Sequence, residues 1–236
     1  ILSSMPVGDY DRRVVILSRE LGKIAAFAKG ARRPNSHLIG VTRPFIFGTF
    51  EVYRGRDSYT IQKANVTNYF EELVSDLDGV LYGYYFAELA EYYGRENLDA
   101  ADMINLLYVA FKALVNKSLP NELVRYIYEI RLIAVNGECP DFFSCAGCGS
   151  EKELQLYSYK ENGMYCVECA ASSGDGIVLQ SSTLYTLQYI ITAPLTKLFN
   201  FVVKADVLNE LKKVVNRIEF ITFDKHFKSK EMLDIG

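Results

Sequence analysis

The sequence predicts an α+β chain: a small N-terminal β-barrel followed by an α-helical domain that carries an inserted four-cysteine zinc ribbon. Three observations lead there. Residues 11–65 read as short strands separated by glycine-containing turns, apolar residues recur at helical spacing from about residue 66, and four of the five cysteines form two Cys-x-x-Cys pairs. The 236 residues are half hydrophobic and 23% charged, a globular balance that excludes a disordered or collagen-like chain. The expected boundaries are 1–66 for the barrel, 67–236 for the helical domain and 139–176 for the ribbon.

The strands come first. Residues 12–17 hold Val14, Val15, Ile16 and Leu17 and close at the turn Arg19-Glu20-Leu21-Gly22; residues 23–29 follow and close at Gly30. Residues 45–53 alternate from Thr49, with Phe50 and Val52 on one face, and Gly55-Arg56-Asp57 forms a hairpin loop before the return at 59–63. Ile1 and Leu2 read as the tail of an earlier strand. Because the chain opens on Ile rather than Met, residues upstream are expected. Five strands in about seventy residues fit a closed barrel of OB size, and an SH3-like barrel has the same strand count.

Net charge over the whole chain is -3, which would argue against a nucleic-acid partner. The average conceals a division. Residues 1–69 hold eleven basic and five acidic residues, a net +6, which leaves -9 for the remainder. In the basic part Arg outnumbers Lys eight to three, and the forked guanidinium suits phosphate pairing and base stacking. The densest basic spot is the loop Gly30-Ala31-Arg32-Arg33-Pro34-Asn35. Such asymmetry predicts a polyanionic partner for the barrel.

Helices are expected at 76–93, 99–117, 120–136, 182–192 and 206–220. Asp99 is the expected N-cap of the second, with Ile104, Leu107, Tyr108, Phe111 and Leu114 as its buried stripe. Pro120 suits a first turn, Gly137 a left-handed stop, and Pro194 a break. The tyrosines at 82, 84, 85, 92 and 93 read as packing residues with hydroxyls reaching water.

Cys145-Ala-Gly-Cys148 and Cys166-Val-Glu-Cys169 are separated by 17 residues, the spacing of a structural zinc site. Two thiolates on each tight knuckle point the same way, and two knuckles complete a tetrahedron around one Zn2+. Gly147 and Gly149 let the first knuckle turn, and Asn162-Gly163 supplies a hairpin turn in the spacer. Cys139 is left over as a free thiol. Four thiolates leave no open position for catalysis, and the histidines number only two, His37 and His226. Nucleotide-binding, zinc-protease and serine-hydrolase signatures are missing. The chain is expected not to be an enzyme. No stretch approaches the roughly 18 apolar residues of a membrane span, and residues 1–10 lack the order of a signal peptide.

Taken in order, several stretches resemble the RecO-type DNA repair and recombination mediators of bacteria. They are Gly8-Asp9-Tyr10-Asp11 before residues 14–17, Glu20-Leu21-Gly22-Lys23-Ile24, and the run from Ala28 through Lys29, Gly30, Arg32 and Arg33 to Ser36. Pro44-Phe45, Gly55-Arg56, Asn136-Gly137-Glu138-Cys139-Pro140 before residues 145–149, and Phe227-Lys228-Ser229-Lys230 continue the series. The resemblance implies an N-terminal OB-fold barrel, a helical domain and an inserted ribbon. It also implies a cytoplasmic, nucleoid-associated protein with no membrane partner. Such a protein binds single- and double-stranded DNA, anneals strands, and works with RecR to load RecA onto strands coated by single-strand-binding protein. Carried over residue by residue, the DNA-contacting candidates are Arg12, Arg13, Lys29, Arg32, Arg33 and Arg56. Arg125 and Arg131 are the candidates for the acidic C-terminal tail of single-strand-binding protein. The competing reading is a zinc-ribbon interaction scaffold whose barrel binds RNA or a protein.

Overall fold

The computed structural model describes residues 1–56, 58–172 and 175–235, so Asp57 of the expected hairpin loop lies outside the described residues. The chain divides into two compact units, Ile1–Lys117 with Phe227–Gly236, and Ser118–His226.

The first unit begins with five strands: β1 (Ser3–Val7), β2 (Asp11–Ser18), β3 (Gly22–Ala28), β4 (Phe47–Arg54) and β5 (Tyr59–Asn68). Their order in the sheet is β1-β2-β3-β5-β4. A meander would keep sequential neighbours side by side. Here β5 lies between β3 and β4 and runs parallel to β3, pairing Ala26 with Tyr59 and Phe27 with Thr60. The seam between β1 and β4 is tied by Ile1, whose backbone nitrogen donates to the Ile46 carbonyl at 2.6 Å while its own carbonyl accepts from Phe45 N at 3.0 Å. This Greek-key return makes the barrel an OB fold and separates it from an SH3-like meander.

Alternation decides the core. Val14 and Ile16 of β2, Ile24, Ala26 and Ala28 of β3, and Tyr59 and Ile61 of β5 point inward, joined by Ala31, Leu38 and Ile46 from the crossover. The first strand corrects the sequence reading, which placed only a strand tail at Ile1 and Leu2. Ser3–Val7 is a full strand, in register with β2 from Ser3 opposite Val15 to Val7 opposite Asp11. Two serines and Pro6 hide it from pattern reading, and an edge strand tolerates the missing N–H of proline.

The β2–β3 turn is sewn to the helical part of the same unit. Lys23 N donates to the Arg95 carbonyl at 3.0 Å and Asn97 N to the Leu21 carbonyl at 2.8 Å. Gly22 has φ +64°, and a Cβ there would lie 2.0 Å from the Arg95 carbonyl oxygen and 2.5 Å from that of Leu98. Gly22→Ala is therefore expected to cost about 2–3 kcal/mol, measured as a lower urea midpoint with an unchanged slope.

The helices of this unit are α1 (Glu71–Ser75), α2 (Leu77–Tyr93), α3 (Ala101–Asn116) and, from the end of the chain, α8 (Lys228–Ile235). Phe45 meets Phe111, and Phe47 meets Phe70, Tyr108 and Phe111, edge-on, with ring centroids 5.1–5.9 Å apart, and this aromatic layer joins barrel to helices. Asp99 accepts from Ala101 N at 2.7 Å, one position before the N-cap residue, Ala100. The buried face of α3 departs from the expected stripe: Leu107, Phe111 and Leu114 are buried, Ile104 and Tyr108 are only half-buried, and Met103, Leu106 and Ala110 join the face, because α2 and the barrel both pack on it. Phe227 packs against Tyr85 and Tyr92, and Ser229 N donates to Glu88 Oε2 at 3.1 Å, which docks α8 on α2.

The second unit contains α4 (Asn121–Val135), β6 (Leu154–Ser158), β7 (Gly163–Cys166), α5 (Val167–Ala170), β8 (Ile177–Val178), α6 (Ser181–Thr192) and α7 (Ala205–Thr222). Helix α4 packs against α6 and α7. It ends where Gly137, at φ +76°, donates to Ala134 and Glu138 N reaches back to Ile133, a Schellman closure. The strands form a sheet ordered β7-β6-β8. Among the described residues no helix is long and apolar enough to cross a membrane.

Candidate nucleic-acid interface and metal centre

Strand alternation separates two neighbours that the sequence reading grouped. Arg12 pairs with Ala28 and so shares the inward face, at the end of the core, where its guanidinium donates to Ser4 Oγ at 3.4 Å. Arg13 pairs with Met5 on one side and Phe27 on the other, on the outer face. Farther along β2, that outer face is covered: Val15 and Leu17 are buried, and α2 and α3 pack there. It stays open toward the β1–β2 hairpin.

At that hairpin the basic loop gathers. Gly30, at φ +67°, turns the chain out of β3, and its N–H donates to Asp11 Oδ1 at 2.7 Å. Arg32 N donates to the Tyr10 carbonyl at 2.8 Å and Arg32 Nη1 to the Gly8 carbonyl at 3.2 Å. The Arg33 guanidinium carbon sits 5.1 Å from the Tyr10 ring centroid. Lys29, Arg32 and Arg33 are all exposed, so the structure brings three of the six candidates together on one rim with Arg13 close by in sequence on the outer face. Arg56 is exposed in the separate β4–β5 loop. The charge count passed over Tyr10; the signal was present as an aromatic residue at a hairpin tip with no apolar neighbour in sequence.

Of the two candidates on α4, Arg125 needs correction, and Arg131 is half-buried. Ten of its fifteen residues are buried, and Arg125 is one of them, 7% exposed. Its Nε donates to Glu129 Oε1 at 2.8 Å and its Nη2 lies 3.7 Å from Glu219 Oε2. Arg131 donates from Nη1 to the carbonyls of Ile190, at 3.2 Å, and Ile191. Both guanidiniums tie α4 to its neighbours, and the buried Arg125 is not presented to an acidic tail. The physical reason is that α6 and α7 pack on α4, which turns Arg125 and Glu129 inward.

The cysteines converge. The Sγ atoms of Cys145, Cys148, Cys166 and Cys169 all lie within 4.8 Å of one another. Cys148 and Cys166 are 3.7 Å apart, close to the roughly 3.8 Å edge of a tetrahedron with ~2.3 Å metal–sulfur bonds, and far from a ~2.05 Å disulfide. Gly149 N donates to the Cys145 carbonyl at 2.8 Å, closing the first knuckle, and a Cβ at Gly147 would stand 3.0 Å from Cys169 Sγ. Burial alone would raise the Cys145 thiol, but N–H groups of Cys166, Cys148 and Gly147 outweigh it and hold the thiol at about 6. Cys169 is pushed up to about 12, its sulfur sharing protons with the other three. Four sulfurs so close ionise together only around a cation, and the donor set fits a tetrahedral divalent metal. Cys139 stands outside the cluster, its thiol pushed up to about 12 by burial.

Residues 1–70 match the family model described as "Recombination protein O N terminal", and residues 74–231 match "Recombination protein O C terminal". The chain belongs to the RecO family. The DNA repair protein RecO of Acetivibrio thermocellus is 30% identical over 238 residues, covering 99% of this chain and 93% of that protein. The proteins of that name from Alkaliphilus metalliredigens and Bacillus subtilis are each 26% identical over 234 residues, covering 98% and 99% of this chain and 95% and 91% of theirs. RecO membership sets the chain among proteins of DNA repair and recombination, with an OB barrel, helices and a four-cysteine cluster able to hold a metal ion.

Proposed function

We propose that this chain is a DNA-binding, strand-annealing recombination mediator that works without catalysing a reaction. In this reading it acts with RecR to load RecA onto single-stranded DNA coated by single-strand-binding protein, whose C-terminal tail it engages. It would work in the cytoplasm, on the nucleoid. The barrel, residues 1–66, is its DNA-binding domain; the helical domain, 67–236, carries the ribbon, 139–176. The observation that carries the reading is the rim of Lys29, Arg32 and Arg33 on an OB fold within a DNA repair family. Arg13 on the outer face and Arg56 in the β4–β5 loop extend that basic surface, and Arg12 lies at the end of the core on the inward face.

Neutralising phosphates releases counterions, so affinity is sequence-independent and falls with salt by about 0.7 log units per contacted phosphate on a single strand. Annealing needs two polyanions brought together. A basic rim that screens one backbone leaves its base edges free for the second strand. Cys145, Cys148, Cys166 and Cys169 hold one Zn2+ in a closed four-thiolate site, which organises the ribbon and offers no position for a substrate.

The test is a titration of fluorescent single-stranded DNA at several salt concentrations. The wild type is expected to bind with a salt-dependent affinity, and Arg32→Ala/Arg33→Ala to bind more weakly with a slope shallower by about 1.4. A wild type indifferent to salt, or a double variant identical to it, would sink the reading.

A further inference from the structure

We infer that Tyr10 is a stacking platform for one unpaired nucleobase, and that this contact makes the barrel favour single over double strands. The inference rests on the DNA-binding reading above and names a residue and a preference that the basic rim alone does not supply. Phosphate contacts recognise both forms of DNA; a ring can stack only on a base whose face is free.

Tyr10 is 50% exposed at the tip of the β1–β2 hairpin. Its position is held from two sides. Arg32 N fixes its carbonyl, and the neighbouring Asp11 carboxylate accepts from Gly30 N, so the hairpin and the basic loop form one stitched rim. Arg33 stands over the ring, giving a cation–π contact and a guanidinium beside the place a base would occupy. An aromatic ring held in place among three exposed cations is the pairing by which single strands are bound, a face for the base and charge for its phosphates.

The adjoining surface continues the same chemistry. Met5, Arg13 and Phe27 lie opposite one another across β1, β2 and β3 on the outer face, and Asp11, next to Tyr10, shares that face with Arg13. Met5 and Val7 are exposed there. A strand leaving Tyr10 meets apolar side chains flanking one more arginine. Beyond them, α2 and α3 cover β2, which bounds the track at its far end.

The experiment measures single-strand and duplex affinities of the full chain, across salt, for the wild type, Tyr10→Leu and Tyr10→Phe. Tyr10→Leu is expected to lose single-strand affinity on the order of tenfold, with duplex affinity and the salt slope unchanged. Tyr10→Phe, which keeps the ring, is expected to match the wild type. Equal losses on both DNA forms, or no loss on single strands, would overturn the inference. Because a hairpin change can disturb folding, the wild type is also photo-crosslinked to an oligonucleotide carrying 5-iododeoxyuridine. An adduct at Tyr10 supports the platform, and adducts only elsewhere reject it. If Arg32→Ala/Arg33→Ala alters binding while Tyr10→Leu leaves the single-strand preference intact, this inference alone fails. If neither variant alters binding, the mediator reading fails with it.

Discussion

Stripping the metal from the cysteine cluster, by chelation or by Cys148→Ser, is expected to unfold the ribbon while the barrel keeps its structure. The ribbon strands are five, four and two residues long, and so small a sheet is marginal without a staple. Its apolar content is slight: Leu156, Tyr157 and Met164 are buried, with Tyr157 stacked on Phe142 at a centroid distance of 5.8 Å. A structural zinc contributes an apparent ~10–16 kcal/mol at neutral pH, far more than those contacts. Without the cation, four sulfurs within 4.8 Å keep protons between them and lose the reason to converge. Native-state hydrogen exchange checks this. The amides of β6 and β7 should lose protection in the metal-free protein, while those of β2 and β3 keep theirs. Unchanged protection in β6 and β7 after confirmed metal loss would show that packing, not metal, organises the ribbon.

What could be read from the sequence depended on how local its cause was. The two Cys-x-x-Cys knuckles were legible because each is made by its own four residues, with Gly147 and Gly149 where a side chain or an ordinary φ would interfere. Strands β2 to β5 were legible because alternation and glycine turns lie within each segment. β1 was not: its pairing is decided by β2, and Ser3, Ser4 and Pro6 carry no strand pattern of their own. The last helix, α8, is eight largely polar residues whose order comes from Phe227 and Ser229 docking on α2, more than 130 residues away in sequence. Arg12 and Arg13 were both DNA-contacting candidates, yet adjacent strand residues face opposite ways. Arg125 failed for the opposite reason to β1. Charge on a helix ordinarily means a wet face, and only the placement of α6 and α7 around α4 reverses it.

That reversal carries a large cost for Arg125→Ala. The substitution leaves Glu129, 0% exposed, and Glu219, 4% exposed, without the guanidinium that lies against both. Removing one member of a buried ion network costs about 3–5 kcal/mol, because the remaining charge stays desolvated. Two carboxylates share one guanidinium here, and the excess is relieved by a proton. Burial and then the repulsion of Glu219 raise Glu129 well above the ordinary carboxylate range, against the attraction of Arg125. The sign follows from proton counts. Above about pH 4.3, where an unfolded glutamate ionises, the folded state still holds a proton that the unfolded chain has released. Stability therefore falls as pH rises from there toward the raised folded value. Glu129→Gln imitates the protonated acid, and is expected to flatten that fall while Arg125 keeps an oxygen to donate to. In Arg125→Ala Glu129 loses the attraction that opposed its raised value, so the deficit relative to wild type should widen with pH. Urea unfolding of the second unit between pH 5 and 8 measures all three proteins. Parallel pH profiles for wild type and Glu129→Gln would mean that no proton is held at Glu129.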